Sequence, residues 1–326
     1  MFRALVLDKH DGKVTASVQS LDEAALPAGE VTVAVAYSSL NYKDGLAIAD
    51  KGKIVRSFPM VPGVDWAGTV ESATHGAFKA GDRVILTGWG VGENYWGGMA
   101  QKARAQAEWL VKLPAGTDEK WAMGMGTAGL TAMMAVHALE AAGIRRDREI
   151  LVTGAAGGVG SVAVALLAKL GHKVAASTGR RELEPYLRSL GAASIVDRAE
   201  LAAPSKPLLT ERWGGAIDSV GGTTLATVLA GCARRASVAA CGLAGSADLP
   251  TSVMPFILRG VKLIGIDSVL CPIPEREAAW RKLAALLPHG LPGEGISVCG
   301  LEDLPALAEK IVAGQIQGRV VVDVRR

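Results

Sequence analysis

The feature that most constrains the fold is a glycine-rich turn set between a strand and a helix. Glu149–Val152 is a short, β-forming apolar run that enters Thr153-Gly154-Ala155-Ala156-Gly157-Gly158-Val159-Gly160, and the apolar stretch Ser161–Leu170 leaves it. Lys173–Ser177 then reads as a second strand, which completes one βαβ unit of the length a dinucleotide fold needs. The glycines divide the work: some allow the tight turn, one lets the backbone approach a pyrophosphate, and Gly160 lets the helix pack close to the strand. Gly157, Gly158, Val159 and Gly160 therefore stand where a phosphate meets free N–H groups and the positive end of a helix dipole. The spacing is G-x-x-G-x-x-G, not strict G-x-G-x-x-G. A glycine-rich structural turn is the competing reading, and the strand–turn–helix–strand context favours a cofactor.

The end of the second strand selects the dinucleotide. An NAD site usually has Asp or Glu there, about 20 residues after the glycines, to hold the ribose hydroxyls. This chain has Ser177-Thr178-Gly179-Arg180-Arg181, with no carboxylate before Glu182. Two hydroxyls and two guanidiniums suit a phosphomonoester, because Arg binds phosphate through paired, charge-assisted hydrogen bonds. The segment favours NADPH over NADH. The alternative is that Arg180 and Arg181 are solvated residues opening the next helix.

Composition narrows the remaining classes. At 326 residues with 49% apolar content, the chain is long enough for a sizeable core and for two domains. Net charge is +3 and no basic run exceeds two residues, which argues against nucleic acid as a partner. The apolar stretches are interrupted by Gly, Lys or Thr, so no membrane span is expected. Met1–Asp8 reads as a strand and lacks the apolar core of a signal peptide, so the expected compartment is the cytoplasm. Cys232, Cys241, Cys271 and Cys299 form no C-x-x-C pair and read as buried free thiols, not as a zinc cluster or a disulfide framework.

Residues 1–120 alternate short strands, such as Glu30–Ala36, Gly68–Glu71 and Asp82–Leu86, with Pro and Gly turns, and predict a compact, mostly β domain. From Trp121 helix and strand signals alternate. Strands at Leu151, Val174, Ser194–Val196, Gly215–Asp218, Ser237–Ala240 and Lys262–Ile266 predict a doubly wound parallel sheet over 121–268. The tail, 269–326, carries a helix near Glu275–Leu287, another near Leu301–Ala313 and a strand at Arg319–Val324.

This order resembles the medium-chain dehydrogenase/reductase family across the whole chain. Ser38-Ser39-Leu40-Asn41-Tyr42-Lys43-Asp44 is similar to the active-site segment of its quinone oxidoreductase branch. Pro62–Gly68, Gly81–Val84, Gly126–Ala132 and Gly318–Val322 match further signatures. Within that branch Leu86–Asn94 with Trp96–Gly98, Ala240–Gly245, Val253–Arg259 and Ile266–Val269 are similar to bacterial acrylyl-CoA reductases. The resemblance implies an α/β architecture: a GroES-like, mostly β catalytic domain, completed by the tail 269–326, plus a Rossmann cofactor domain. It also implies a homodimer. Zinc-dependent relatives carry Cys and His where this chain has Ser39 and Val64, so no metal is expected.

The activity so implied is NADPH-dependent reduction of the C=C bond of acryloyl-CoA to propanoyl-CoA, with the acyl-CoA thioester as substrate. Reduction of quinones or small enones is the alternative, and a noncatalytic NADPH-binding protein is the lesser one. Hydride adds to the β carbon while negative charge collects on the thioester oxygen, which needs placed donors. Asn41 and Tyr42 are the catalytic candidates: Asn41 as a donor or as a turn residue bonding its own backbone, Tyr42 as a hydroxyl beside the nicotinamide or as packing. Lys43 and Asp44 read as a local ion pair. By resemblance Thr178, Gly179 and Arg180 belong to the 2′-phosphate pocket and Arg198 closes the adenosine side. Tyr42, Leu243, Ile257, Ser268 and Arg325 are further cofactor contacts. Asp218–Gly221 ends a strand at the ligand-binding edge of the sheet, as a contact or as plain turn chemistry. The Gly88–Gly98 segment either walls the substrate cleft or is a structural loop.

Overall fold

The structure, a computed structural model, describes residues 1–204 and 206–326. The chain divides into two compact units. One comprises Met1–Thr127, Ser268–Gly290 and Ile296–Arg326, and the other Ala128–Asp267 with Leu291–Gly295.

The first unit opens with β1 (Phe2–His10) and β2 (Lys13–Leu21), paired antiparallel from Phe2 opposite Leu21 to His10 opposite Lys13. It continues through β3 (Val31–Leu40), α1 (Tyr42–Ile48), β4 (Asp65–Ala73), β5 (Arg83–Thr87), β6 (Lys102–Ala105) and β7 (Val111–Lys112). In β3 the residues Val31, Val33 and Val35 face inward in strict alternation, the period of a half-buried strand. They pack with Trp66, Val84 and Leu86.

A long helix, α2 (Glu119–Ala141), follows, with its backbone non-helical at Gly126. The sequence predicts no membrane span, yet α2 is long and apolar enough to be one by length and composition. The scattered Thr and Gly of this stretch carry no charge and do not interrupt its apolarity. Most of its apolar window is buried inside the protein, which is how a core helix satisfies the same pattern.

The second unit runs β8 (Glu149–Val152), α3 (Gly158–Lys169), β9 (Val174–Thr178), α4 (Glu184–Ser189), β10 (Ser194–Asp197), α5 (Arg198–Ala202), β11 (Trp213–Asp218), α6 (Gly222–Gly231), β12 (Ser237–Ala240), α7 (Met254–Arg259) and β13 (Lys262–Gly265). Among the described residues these strands form a six-stranded sheet in the order β10-β9-β8-β11-β12-β13, every pair parallel. Every residue of β9 and β11 is buried, as in a parallel sheet covered on both faces. Leu151, Ala175, Val196, Ala216, Val228 and Val238 form the core. Because the strands are parallel, the loops that follow β8, β9, β10, β11 and β12 all emerge at one edge, where such sheets bind ligands. This is the doubly wound sheet the sequence predicts.

The tail adds α8 (Ile273–Leu286), β14 (Ile296–Cys299), α9 (Leu304–Val312) and β15 (Arg319–Asp323). β15 pairs antiparallel with β3, Val320 opposite Leu40 and Asp323 opposite Tyr37, which gives the first unit a sheet in the order β14-β15-β3-β4-β5-β7 with β6 also on β3. Ala47 and Ile48 of α1 and Leu304 and Ala308 of α9 join the same core.

Candidate active site and cofactor cradle

The turn after β8 has the geometry of a phosphate cradle. Gly154, Gly157, Gly158 and Val159 are half-buried at the sheet edge, and α3 starts at Gly158 with Gly157 as its N-cap in extended conformation. Its first-turn N–H groups have no carbonyl partner within the helix, so they are available to an anion. A Cβ on Gly160 would collide with the carbonyl oxygen of Gly154 and the Cα of Ala155. Only glycine lets α3 start this close to the strand.

The second part of the cradle follows β9. Thr178 is buried and its hydroxyl accepts from the backbone N–H of Arg180 at 3.1 Å. A Cβ on Gly179 would lie 2.8 Å from Nε and 2.9 Å from Cζ of Arg198, so the Arg198 guanidinium lies across bare backbone beside Arg180. Burial pushes the Arg180 guanidinium down, Glu182 pulls it up and Arg198 pushes it down again. Two guanidiniums beside a threonine hydroxyl are the donor set that a phosphate dianion can use. The sequence pairs Arg180 with its neighbour Arg181. In the fold Arg181 turns away to Asp197, 2.9 Å distant, and the second guanidinium at Gly179 comes from Arg198, at the end of β10, which lies beside β9. These residues fit the adenosine and pyrophosphate end of a phosphorylated dinucleotide.

Leu243, in the loop after β12 at the same edge, is 60% exposed, an apolar side chain standing free over the cradle's own sheet edge. Ile257 lies on α7 and is 72% exposed.

In the first unit, Asn41 ends the β3 segment and caps α1, and Tyr42 is the first residue of that helix, half-buried. The Asn41 side chain is fully engaged within the protein. Its Nδ2 donates to Asp65 Oδ2 at 3.0 Å and to Ser39 Oγ at 3.2 Å, and its Oδ1 accepts from Arg319 at 3.2 Å. Asp65, fully buried, also accepts from the Ser39 hydroxyl at 2.7 Å and from the Thr127 backbone N–H at 2.7 Å. Arg319, 2% exposed, donates to Ser39 Oγ at 2.7 Å and to the Gly124 carbonyl at 3.2 Å. A buried carboxylate and a buried guanidinium thus clamp Ser39 and Asn41 between them, and the clamp sets where α1 begins and where Tyr42 stands.

Lys43 and Asp44 do not pair with each other. Lys43 reaches Glu93, at 2.8 Å, in the Gly88–Gly98 loop. Asp44 points inward and accepts the backbone N–H groups of Asn41 at 2.8 Å and Val64 at 3.0 Å. A residue at the third position of a helix faces back over the cap, which separates it from its chain neighbour. Burial, then the nearby Asp65 carboxylate, push the Asp44 carboxyl up to about 7 against those two donors.

Ser268 and Arg325 have anchors of their own. The Ser268 carbonyl accepts from Arg276 at 3.2 Å, and the backbone N–H of Trp89 donates to the next carbonyl, that of Val269, at 3.0 Å. The Gly88–Gly98 loop is therefore tied down at its start, and Trp89 stacks on Trp109 with centroids 6.5 Å apart. Arg325 lies over the Tyr37 ring and pairs with Asp323 at 3.2 Å. The antiparallel register puts Arg319, not Arg325, at the Asn41 end of the ladder. Sequence reasoning assigned no chemistry to Asp65 or Arg319. Their signal was a lone charge flanking runs of strand-forming apolar residues, Val64-Asp65-Trp66 and Arg319-Val320-Val321-Val322. Among the described residues no three His, Cys, Asp or Glu side chains are grouped to hold a metal ion.

Known proteins agree with this architecture. Residues 27–115 match the family described as alcohol dehydrogenase GroES-like domain, and residues 158–287 the one described as zinc-binding dehydrogenase. The acrylyl-CoA reductase AcuI of Ruegeria pomeroyi is 55% identical over 99% of this chain and 99% of its own length. The YhdH oxidoreductase of Salmonella enterica, solved in complex with NADP, superposes with a TM-score of 0.97 at 55% identity, covering 99% of each chain. YhdH of Escherichia coli K-12, solved with bound NADPH, gives 0.96 at 55% identity over 98% of this chain and 99% of that one. Full-length identity of this order, together with a GroES-like unit and a doubly wound nucleotide unit, means that the chain belongs to the medium-chain dehydrogenase/reductase family.

Proposed function

We propose that this protein reduces the C=C bond of acryloyl-CoA with NADPH and a proton, yielding propanoyl-CoA and NADP⁺. The observation that carries the reading is the 55% identity to an acrylyl-CoA reductase along 99% of both chains. The built receptor at Gly179, with Arg180 and Arg198 beside Thr178, supports the choice of NADPH.

When bound, NADPH supplies the hydride that adds to the β carbon. The chain's residues bind and orient. Gly157, Gly158, Val159 and Gly160 receive the pyrophosphate at the α3 N-terminus, and Thr178, Gly179, Arg180 and Arg198 receive the 2′-phosphate. Leu243 and Ser268 serve the nicotinamide side. The Tyr42 hydroxyl donates toward the thioester oxygen, where negative charge collects as the hydride arrives. Asn41, its amide committed to Asp65, Ser39 and Arg319, holds Tyr42 in place and leaves the oxygen to it. The α carbon takes its proton from solvent.

The unit roles follow: the GroES-like unit acts on substrate and the nucleotide unit holds the cofactor. We also read the protein as a cytoplasmic homodimer. Strand β13 is an edge of its sheet, and Val253, Ile257, Leu258 and Leu263 are exposed on or just before it. An unpaired edge with apolar neighbours is covered by antiparallel pairing with a second copy. The four free cysteines suit a reducing compartment.

The test is NADPH oxidation measured side by side on acryloyl-CoA, crotonoyl-CoA, a quinone and methyl vinyl ketone. The proposal expects acryloyl-CoA to give the highest kcat/KM. A quinone or methyl vinyl ketone ahead of both thioesters would make the protein a quinone or enone reductase instead.

A further inference from the structure

The second unit contains a buried carboxylate that none of the proposed cofactor contacts uses. Asp218, the last residue of β11, is fully buried. One oxygen accepts from the Thr153 hydroxyl at 2.6 Å and the other from the backbone N–H of Gly221 at 2.8 Å. Both partners are neutral donors, and burial holds the Asp218 carboxyl above its ordinary range against them. Burying an anion without a cation is costly, so the position calls for a task beyond closing a strand.

The task is legible in what the surrounding bonds join. Thr153 is the residue that opens the glycine turn. Its hydroxyl donates to Asp218 and accepts from the Ser219 N–H at 3.1 Å, while its carbonyl accepts from the Ser219 hydroxyl at 3.2 Å. On the other side the Asp218 carbonyl accepts from the Cys241 N–H at 2.8 Å and from its thiol at 3.2 Å. Ala244 N–H donates to Ser219 at 3.3 Å and Gly245 N–H to Val220 at 2.8 Å, which pins the loop that carries Leu243. Residues 218–221 are thus bonded to the glycine turn on one flank and to the Leu243 loop on the other.

We infer that Asp218 is a positioning residue for the dinucleotide, tying the pyrophosphate turn and the Leu243 loop into one rigid receptor through Thr153. This rests on the NADPH reading above. It makes a prediction that separates Asp218 from Arg180. The turn serves the pyrophosphate common to both cofactors, so loss of the tie weakens NADPH and NADH alike, whereas the arginine discriminates between them.

Asp218→Asn keeps the shape but turns an amide N–H toward a donor, and Thr153→Val keeps the shape and removes the hydroxyl. Fluorescence titration of each purified variant should show Kd for NADPH and for NADH raised by a similar factor, about tenfold. The double variant should cost no more than the worse single one, because both remove one chain of bonds. Steady-state kinetics should show the rise in KM for NADPH and little change in KM for acryloyl-CoA. Circular dichroism and melts of the cofactor-free proteins check folding, and if Asp218→Asn fails to fold, Thr153→Val decides. Folded variants with wild-type Kd for both cofactors would overturn the inference, as would a loss confined to NADPH. Wild-type protein that binds neither cofactor would overturn the NADPH reading itself.

Discussion

Arg180 and Arg198 show how two residues far apart in the chain acquire a joint property. Each alone is an exposed or half-buried cation; together beside Gly179 they are the pair proposed to receive the 2′-phosphate. Removing one charge-assisted contact should cost roughly 1.5–3 kcal/mol, about ten- to a hundredfold in affinity. Arg180→Ala is therefore expected to raise the KM for NADPH by that factor and to leave NADH little changed; equal weakening of both would remove Arg180 from the 2′-phosphate site. Asp44 makes a second residue-scale prediction. Its carboxyl stands at about 7 in the fold against 3.8 as the ordinary value, so between those pH values the native state binds more protons than the unfolded state. Stability from this group is complete below the lower value and is lost as pH rises through the upper one, at about 1.4 kcal/mol per pH unit in the window. Denaturant melts from pH 4 to 8 should show wild-type stability minus that of Asp44→Asn falling from pH 4 to about 7 and levelling off above it. A difference that is flat or grows with pH would refute the assignment.

At the scale of elements, the cofactor turn depends on how closely α3 approaches β8. Since a Cβ at position 160 would overlap backbone of residues 154 and 155, the helix must slide outward to accept one. Overpacking of this kind costs about 1–3 kcal/mol and displaces the first-turn N–H groups. Gly160→Ala should lower the melting temperature and weaken NADPH and NADH together by at least about tenfold, since more than one N–H contact is lost. Gly76→Ala, which has open space at its Cβ, is the control and should stay within about 0.5 kcal/mol of wild type. Normal cofactor affinity in folded Gly160→Ala protein would show that the turn does not hold the phosphates. The element that begins at Tyr42 is also packed closely, since a Cβ at Gly45 would overlap the Ile311 side chain of α9, but its start is set by side chains, Asp65 and Arg319 acting through Asn41.

For the whole molecule, binding and stability are linked. A ligand that binds only the folded chain adds about 2.7 kcal/mol at a hundred times its Kd. NADPH at that excess should raise the melting temperature by a few degrees, and Arg180→Ala should need about ten- to a hundredfold more NADPH for the same rise. No shift at any NADPH concentration would sink the cofactor assignment at this scale.

The doubly wound sheet was legible in the sequence because parallel strands covered on both faces read as unbroken apolar runs, and each here is bounded by a turn. The glycine turn was legible because the close approach of α3 to the turn after β8 needs glycine at position 160, a fixed offset along the chain. The tail's return to the first unit showed only by resemblance. The partners of a side chain lie in tertiary structure: Arg198 crosses to Gly179 because β10 lies beside β9, and Arg319 meets Asn41 because β15 pairs with β3 in one register. Lys43 and Asp44 read as an ion pair until the helix turned one toward Glu93 and the other into the core. Periodicity and turn chemistry are local and were determined by the sequence alone. Charge pairing across sheets is set by register and burial, and only the packed chain decided it.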